Sequence, residues 1–342
     1  MGLNYKLSIL DKCPRAEGIS AEQSFKNALQ IAQTAEALGF YRYWVAEHHS
    51  TALLSSPSPE ILIAWLLAQT KSIRIGSGGV MLQHYSPYKV AENFNVLAGL
   101  AHNRVDLGVG KAPGGFPVST QALQLGLDQK QKGNFQTQLQ ALDHYLNAKL
   151  DRNQPDQIAA TPIPQQSAEK FLLGASIESA RLAADLGWNF VFAAHLNGDA
   201  TLLQDALQTY SHYSAGERAI VAAQIIVADS RDQAEELAAG LSVWTLELEN
   251  GQRVKIPNEQ SGQEFSRQAQ SAIKSLKKEQ LNIIKGTADD IHQQLHALHQ
   301  QYGIHEFIVE SPLLDHATRL KSLTLLAQHA VLAALVGEID VK

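Results

Sequence analysis

Apolar residues follow two alternating rhythms along the chain. Runs such as YKLSILD (Tyr5 to Asp11), YRYWVA, IRIGSGGVML (Ile73 to Leu82) and RVDLGVG (Arg104 to Gly110) are nearly continuous in hydrophobic character. Most are followed by a segment whose apolar positions fall three or four residues apart, the spacing of a helix face. The first such segment carries Phe25, Leu29, Ala32, Ala35 and Leu38; Ser20 and Gln23 make a capping box before it and Gly39 closes it. Ser58, Pro59 and Glu60 open the next with a cap residue, an N-terminal proline and an early acid, and Pro87 begins a third that runs to about Leu100. The second half repeats the pattern. KFLLGAS (Lys170 to Ser176) precedes a helix ending at Gly187, and WNFVFAAH (Trp188 to His195) precedes one carrying Leu202, Leu203, Ala206 and Tyr210. AIVAAQIIVAD leads to a second capping box at Ser230 and Gln233, and EFIVES (Glu306 to Ser311) precedes a helix from about His316 to Leu335.

Strands apolar on both faces belong to parallel sheets covered by helices. Eight strand-and-helix units predict an α/β fold of the (β/α)8 type, a TIM barrel, rather than a doubly wound sheet of five to seven strands. Two polar stretches interrupt the rhythm: Leu150 to Lys170 after the fourth helix, and Glu249 to Gln270 after the seventh strand. Both read as insertions, the second as a lid over a site or an ornamental loop, and neither as a linker, so residues 1–342 form a single domain.

Composition narrows the field. A net charge of -6 opposes a nucleic-acid surface. No apolar run is long enough to span a membrane, and the N-terminus has no signal-peptide pattern. A single cysteine, Cys13, fits a reducing cytoplasm and reads as a passive small residue.

In a barrel the working face lies at the C-terminal ends of the strands. Those ends collect Glu47, His48 and His49, then Gly78 and Gly79 with His84 and Tyr85, Lys111, Ala175 and Ser176, and finally His195 and Asn197. The EHH cluster is therefore expected on the rim of a pocket, with one of its two histidines facing the cavity. Ser176 and Ser179 open a helix whose free N–H groups suit a phosphate, with Lys111 as its cationic partner; a plain serine cap explains the same residues. The glycine pair marks either a strand irregularity or close approach by a flat ring. Phe116, Trp244 and Phe265 are candidates for an apolar pocket wall or for packing.

RYWVAEHHS, the run from IRIGSGGVMLQHYSPY through DLGVGKAPG, and SARLAADLGW together resemble the luciferase-like family of flavin-dependent monooxygenases, over essentially the whole chain. The resemblance implies a (β/α)8 barrel that binds reduced FMN, supplied by a separate flavin reductase, or in some branches the deazaflavin coenzyme. It implies that His48 serves acid–base chemistry, that Gly78–Gly79 is a non-proline cis peptide behind the flavin ring, and that Ala175, Ser176 and Ser179 form the phosphate turn. Lys111 stands where the family usually has arginine, which keeps the charge but loses the two-pronged donor. It further implies oxidation of a small-molecule substrate with incorporation of molecular oxygen, and a homodimer, for which SPEILIAWLLAQT and the following helix are apolar enough. GVGKAPGG has Pro113 where a dinucleotide fingerprint needs its third glycine, so a tightly bound nicotinamide is not expected.

Two rival readings compete. A metal-dependent barrel hydrolase would use His48, His49, His84, His102 and His195, although a His-x-His strand is absent. A flavin-binding protein without catalysis would keep the same cradle. His292, His296 and His299, set among glutamines, are expected on a solvated helix face.

Overall fold

The computed structural model describes residues 3–149, 158–194 and 198–339. In chain order the first half consists of β1 (Lys6–Asp11), α1 (Ala21–Ala37), β2 (Arg42–Val45), α2 (Pro59–Gln69), β3 (Arg74–Met81), α3 (Pro87–Leu100), β4 (Val105–Gly110), α4 (Pro117–Leu123), α5 (Gln129–Lys132) and α6 (Phe135–Asn147). The second half adds β5 (Glu169–Gly174), α7 (Ile177–Leu186), β6 (Asn189–Ala193), α8 (Ala200–Tyr213), β7 (Ile220–Val227) and α9 (Arg231–Ala238). It continues with β8 (Ser242–Leu248), β9 (Arg253–Ile256), α10 (Glu259–Ala269), β10 (Ile273–Gln280), β11 (Ile283–Gly286), α11 (Ala288–Tyr302), β12 (Glu306–Glu310) and α12 (His316–Ile339).

Strands β1 to β6, β7 and β12 run parallel and close on themselves through the β7–β6 and β12–β1 pairings, as the strand rhythm predicted. The short β11 extends the far end of β7. Alternation along each strand sorts side chains into two sets. Leu10, Trp44, Ala46, Phe171, Val191, Ile220, Ala222 and Ile308 fill the barrel, while their neighbours, such as Ile9, Tyr43, Val45, Val221 and Phe307, pack outward against the helices.

Capping follows the sequence unevenly. Ser20 accepts from the Gln23 N–H and Ser230 from the Gln233 N–H, but Gln23 turns to Asn27 and the Gln233 amide oxygen takes the Asp229 N–H. Ser58 makes no side-chain cap bond; Pro59 alone marks that start. Gly187 ends α7 in the left-handed region at φ 66°, where a side chain is strained.

The floor of the barrel is a buried charge network. Arg42 reaches Asp106 at 2.7 Å and Glu306 at 2.7 Å; Arg74 also holds Asp106, at 2.5 Å. Ser8 donates to Glu306, and the Trp44 indole N–H to Asp106. Outside the barrel, Asp11 accepts from Arg319 of α12 at 2.8 Å and from Tyr43 at 2.6 Å, pinning the last helix to the first two strands. Cys13 is buried beside them, and burial pushes its thiol pKa well up, which fits a passive residue.

Two sequence expectations need correction, and one choice between pocket wall and packing is resolved. The stretch from Glu249 to Gln270 is a folded part of a small unit, in which β8 pairs antiparallel with β9 and β10 and α10 covers them. Its composition misled because β9, RVKI, and α10, EQSGQEFSRQA, bury few residues and so lack an apolar run. His292 is buried, its Nδ1 3.0 Å from the Tyr5 hydroxyl and its Nε2 2.8 Å from the Leu326 carbonyl, so it meets β1 and α12 rather than solvent; His299 is half-buried, and His296 is exposed as expected. Phe116, Trp244 and Phe265 pack in the core of the β8–β10 unit, with the Phe116 and Phe265 rings 5.5 Å apart. Of the other insertion, residues 150–157 lie outside the described residues; beyond them, the Ala159 and Ala160 carbonyls are tied to Tyr88 and Asn95 of α3.

Candidate functional site

The C-terminal mouth of the barrel is assembled from the ends of β2, β3, β4 and β5. At β2 the inward series Trp44, Ala46 continues to His48, which is half-buried, while Glu47 and His49 turn the other way and are buried. The expectation of one cavity-facing histidine fits this parity. The expectation that the whole EHH cluster lines a rim does not, because Glu47 and His49 are spent on each other. His49 Nε2 lies 2.7 Å from Glu47 Oε1, the Tyr85 hydroxyl donates to the same oxygen at 2.8 Å, and the Met81 N–H donates to Oε2 at 3.0 Å. A buried carboxylate needs such partners. Burial first, then the Glu47 charge, raises the Tyr85 pKa far above its ordinary value, so this phenol stays protonated and donating.

The loop after β4 closes over this network. The His49 N–H donates to the Gly114 carbonyl at 2.8 Å, and Gly114 sits at φ 63° so close that an added Cβ would stand 3.0 Å from the Glu47 carbonyl oxygen. His84 is buried beneath the same loop, its Nε2 2.7 Å from the Pro113 carbonyl; burial lowers its pKa. His84 is thus a brace for the loop. His102 is exposed at the end of α3 before β4, on the opposite side of the barrel from the mouth. Among the described residues no group of three His, Cys, Asp or Glu side chains is arranged to hold a metal ion.

Gly78 and Gly79 lie on β3, where the pairing with β4 slips between Ser77 and Val80 and the Gly78–Gly79 peptide is cis. The Ser77 hydroxyl bridges the slip, donating to the Gly108 carbonyl and accepting the Gly108 N–H. A Cβ on Gly78 would stand 2.6 Å from Leu10 Cδ1, and one on Gly79 2.8 Å from the Gly108 carbonyl oxygen. The barrel's own packing therefore requires glycine at Gly79, where the obstacle is backbone, whereas at Gly78 the nearest atom is the movable end of the Leu10 side chain.

Lys111 and the start of α7 meet at the ends of adjacent strands, β4 and β5. Ser176 caps α7, accepting the Ser179 N–H at 3.2 Å, and Gly174 leaves room for Ser179, whose Cβ would lie 2.5 Å from any side chain there. Ala175 is half-buried between them, and Lys111 is exposed. The Glu178 carboxyl, in the same first turn, is held below its usual pKa by its own backbone N–H, the Ser176 hydroxyl and the Lys111 charge. A lysine after one strand and a capped helix start after the next form an arrangement suited to an anion. His195 and Asn197 lie outside the described residues.

The β8–β10 unit, rooted at β7, reaches the β4 side of the mouth. Gln268 of α10 accepts the Val118 N–H of α4 at 3.2 Å, and Phe265 packs on Phe116. β7 and β4 are three strands apart, so the unit crosses the opening.

Three further polar side chains sit in the mouth that composition and motif did not single out. Lys12, Gln224 and Glu310 are the next inward positions after Leu10, Ala222 and Ile308. Strand parity, carried one step past the last apolar residue, is the signal that finds them.

Comparison with known proteins places these residues in context. A sequence profile of luciferase-like monooxygenases matches residues 6–306. The N-acetyl-S-alkylcysteine monooxygenase of Bacillus subtilis (strain 168) is 36% identical over 337 residues, covering 96% of this chain and 99% of that protein. Among solved structures, apo-MsnO8 superposes with a TM-score of 0.74 at 29% identity, over 95% of this chain and 97% of its own. The oxygenating constituent of 3,6-diketocamphane monooxygenase from Pseudomonas putida, in complex with FMN, gives 0.69 at 18% identity over 96% and 98%, a likeness of fold.

Proposed function

The chain belongs to the luciferase-like monooxygenase family, and from that premise we propose that it binds reduced FMN in the barrel mouth and oxidises a small organic substrate with one atom of molecular oxygen. The observation that carries the cofactor assignment is that Lys111 and the serine-capped start of α7 follow the ends of neighbouring, paired strands. The donor set fits a phosphorylated ring: Lys111, Ser176, Ser179 and the backbone at Ala175 take the phosphate, and the side-chain-free Gly78–Gly79 stretch of β3 backs the ring. Bound reduced flavin supplies the electrons that activate dioxygen.

The chain's own residues do the rest. His48 holds or delivers the proton the reaction needs, a task suited to an imidazole. Glu47, His49 and Tyr85 fix the segment that carries it. The β8–β10 unit and α4 exclude water from above. From the 36%-identical relative we take the substrate class to be N-acylated, S-alkylated cysteines, whose thioether sulfur is the oxidisable atom.

Titration with FMN and with riboflavin tests this reading. Wild-type protein should bind reduced FMN at least ~10-fold more tightly than reduced riboflavin, and Lys111→Met should erase the difference. Equal affinities, or no uptake of either, would remove the phosphate assignment. A parallel titration with the deazaflavin coenzyme decides between the two cofactor types. His48→Ala should bind FMN normally yet lose ~100-fold or more in turnover, which also separates an enzyme from a protein that only stores flavin. Reduced flavin is taken to come from a separate reductase and the protein to work in the cytoplasm. It is taken to work as a homodimer through α2 and α3, where Ile61 is 66% and Leu100 72% exposed. Light scattering of wild type and Ile61→Lys reports on the dimer. Among the described residues no helix is long and apolar enough to cross a membrane.

A further inference from the structure

We propose that Lys12 is the residue that recognises the substrate, binding its carboxylate, with Glu310 and Gln224 as positioning residues. This rests on the monooxygenase reading above and extends it to the side of the mouth away from the flavin phosphate. Strands β7, β12 and β1 are consecutive in the barrel, and β12 and β1 lie across it from β4 and β5. A phosphate held between β4 and β5 therefore leaves the β7–β12–β1 sector for the molecule being oxidised.

The three side chains in that sector form an ordered unit. Lys12 Nζ lies 2.7 Å from Glu310 Oε1, and the Gln224 amide donates to Glu310 Oε2 at 3.1 Å. Glu310 is 3% exposed and Lys12 30%, so the carboxylate is committed to the wall while the ammonium is the member that meets the opening. An ammonium has three donors, and a bond to Glu310 uses one of them. The pair also fixes how Gln224 points: its NH2 must face the Glu310 carboxylate, which turns its oxygen the other way. That oxygen is buried and accepts no hydrogen bond among the described residues. Buried acceptors in native proteins are rarely left so, and one at a site entrance calls for a donor from outside the chain. An acid carrying an amide N–H presents both complements at once, an anion for Lys12 and a donor for Gln224. N-acylated amino acids are that chemistry.

The floor of the barrel shows why this cluster is not simply a second plug. There the arginines serve two or more carboxylates each and the carboxylates are fully engaged. In the mouth Lys12 faces Glu310 at the edge of the opening, and its ammonium is partly exposed. In barrels of this kind the C-terminal face carries function and the opposite face stability.

Calorimetric titration with N-acetyl-S-methylcysteine and with its methyl ester tests the proposal, with FMN uptake measured on the same samples. Wild-type protein should bind the acid at least ~10-fold more tightly than the ester. Lys12→Met should weaken binding of the acid ~10–100-fold, leave the ester unchanged, and leave FMN uptake unchanged, as expected for loss of one charged hydrogen bond. Lys12→Met takes that cation from the buried Glu310, so the double variant Lys12→Met/Glu310→Gln, which also removes the carboxylate charge, is measured beside it and should show the same loss. Lys12→Arg should retain most of the preference. Acid and ester bound alike by wild type, neither bound at all, or a preference that survives both variants would overturn the assignment. Loss of FMN uptake in the Lys12 variants with the acid preference intact would give Lys12 to the cofactor instead, and also overturn it. Wild-type protein that takes up no FMN would sink the flavin reading separately, while the acid–ester comparison would still judge Lys12.

Discussion

Replacing Arg42 with methionine should cost the fold about 3–5 kcal/mol while leaving FMN binding intact. The magnitude follows from what the guanidinium leaves behind. Burial works against its charge, yet Asp106 and Glu306 hold its pKa above even the usual arginine range. Without it, Asp106 keeps Arg74 at 2.5 Å and the Trp44 indole at 2.9 Å. Glu306 fares worse. It loses two contacts from Arg42, at 2.7 and 3.2 Å, and keeps only the Ser8 hydroxyl among its hydrogen bonds. One buried carboxylate without a cation is the main penalty, and methionine returns only part of the lost packing.

The assay is urea unfolding followed by tryptophan fluorescence, with Trp44 resting directly on the network. A second variant sharpens it. Arg42→Met/Glu306→Gln removes the stranded charge as well, and should recover ~1–2 kcal/mol of the loss. FMN affinity of both variants, measured well below the unfolding midpoint, should match wild type within ~2-fold. A single variant within ~1 kcal/mol of wild type would refute the claim that the floor is an engaged charge network. A variant of normal stability that loses FMN would refute the division between floor and mouth on which the site assignment depends.

Two other expectations concern the scaffold. Glu36, on α1, accepts the N–H groups of Lys71, Ser72 and Ile73; despite the opposing effect of partial burial, these bonds pull its pKa down to about 2. Because the folded-state value lies below the ordinary ~4.3, its stabilisation is present above pH ~4.3 and is lost as pH falls toward 2. Glu36→Gln should cost ~1–2 kcal/mol at pH 7 after solvent screening is allowed for, and should flatten the acid limb of a stability–pH profile; an unchanged acid limb would contradict this. Gly79→Ala places a methyl against the Gly108 backbone, which has no flexible side chain to move aside, so it should destabilise by about 1–3 kcal/mol in urea unfolding. Thermal and urea midpoints equal to wild type would show that β3 and β4 can separate there.

Continuous apolar strands and helix punctuation made the barrel legible, because burial on both faces leaves a mark on every residue of a strand. The β8–β10 unit left no such mark. Its strands face solvent on one side, and Leu246, Leu248, Ile256 and Phe265 make a core too small to dominate the composition. His292 was misread for a related reason: its glutamine neighbours Gln293 and Gln294 are polar, but a helix face is shared with residues three and four away, and Leu295, three residues on, faces the core beside it. At the mouth, the sequence brought out Lys111, Ser176 and Ser179 through capping chemistry, and the structure sets them at adjacent strand ends. Lys12, Gln224 and Glu310 come from three distant strands, and no local motif announces a contact between residues 12 and 310.

The three consecutive ionisable residues after β2 make sense once parity divides them. A strand end must point one residue into the cavity and its two neighbours away from it, so Glu47 and His49 share a side by necessity. Placed there alone, either would be a buried polar group in want of a partner; placed together, each satisfies the other, and Tyr85 and the Met81 N–H complete the carboxylate. The β4 loop then bonds to the backbone of His49 through Gly114, so the strand that carries Lys111 and the strand that carries His48 are fastened to one another. Glu47→Gln therefore acts at a distance from any ligand. It keeps the shape but weakens the acceptance of the Tyr85 and His49 hydrogens, and it should lower turnover ~10-fold through His48 placement while FMN affinity changes less than ~3-fold. Turnover and affinity falling together would mean that the buried pair supports the whole mouth, and equal wild-type values for both would mean that His48 is held by other contacts.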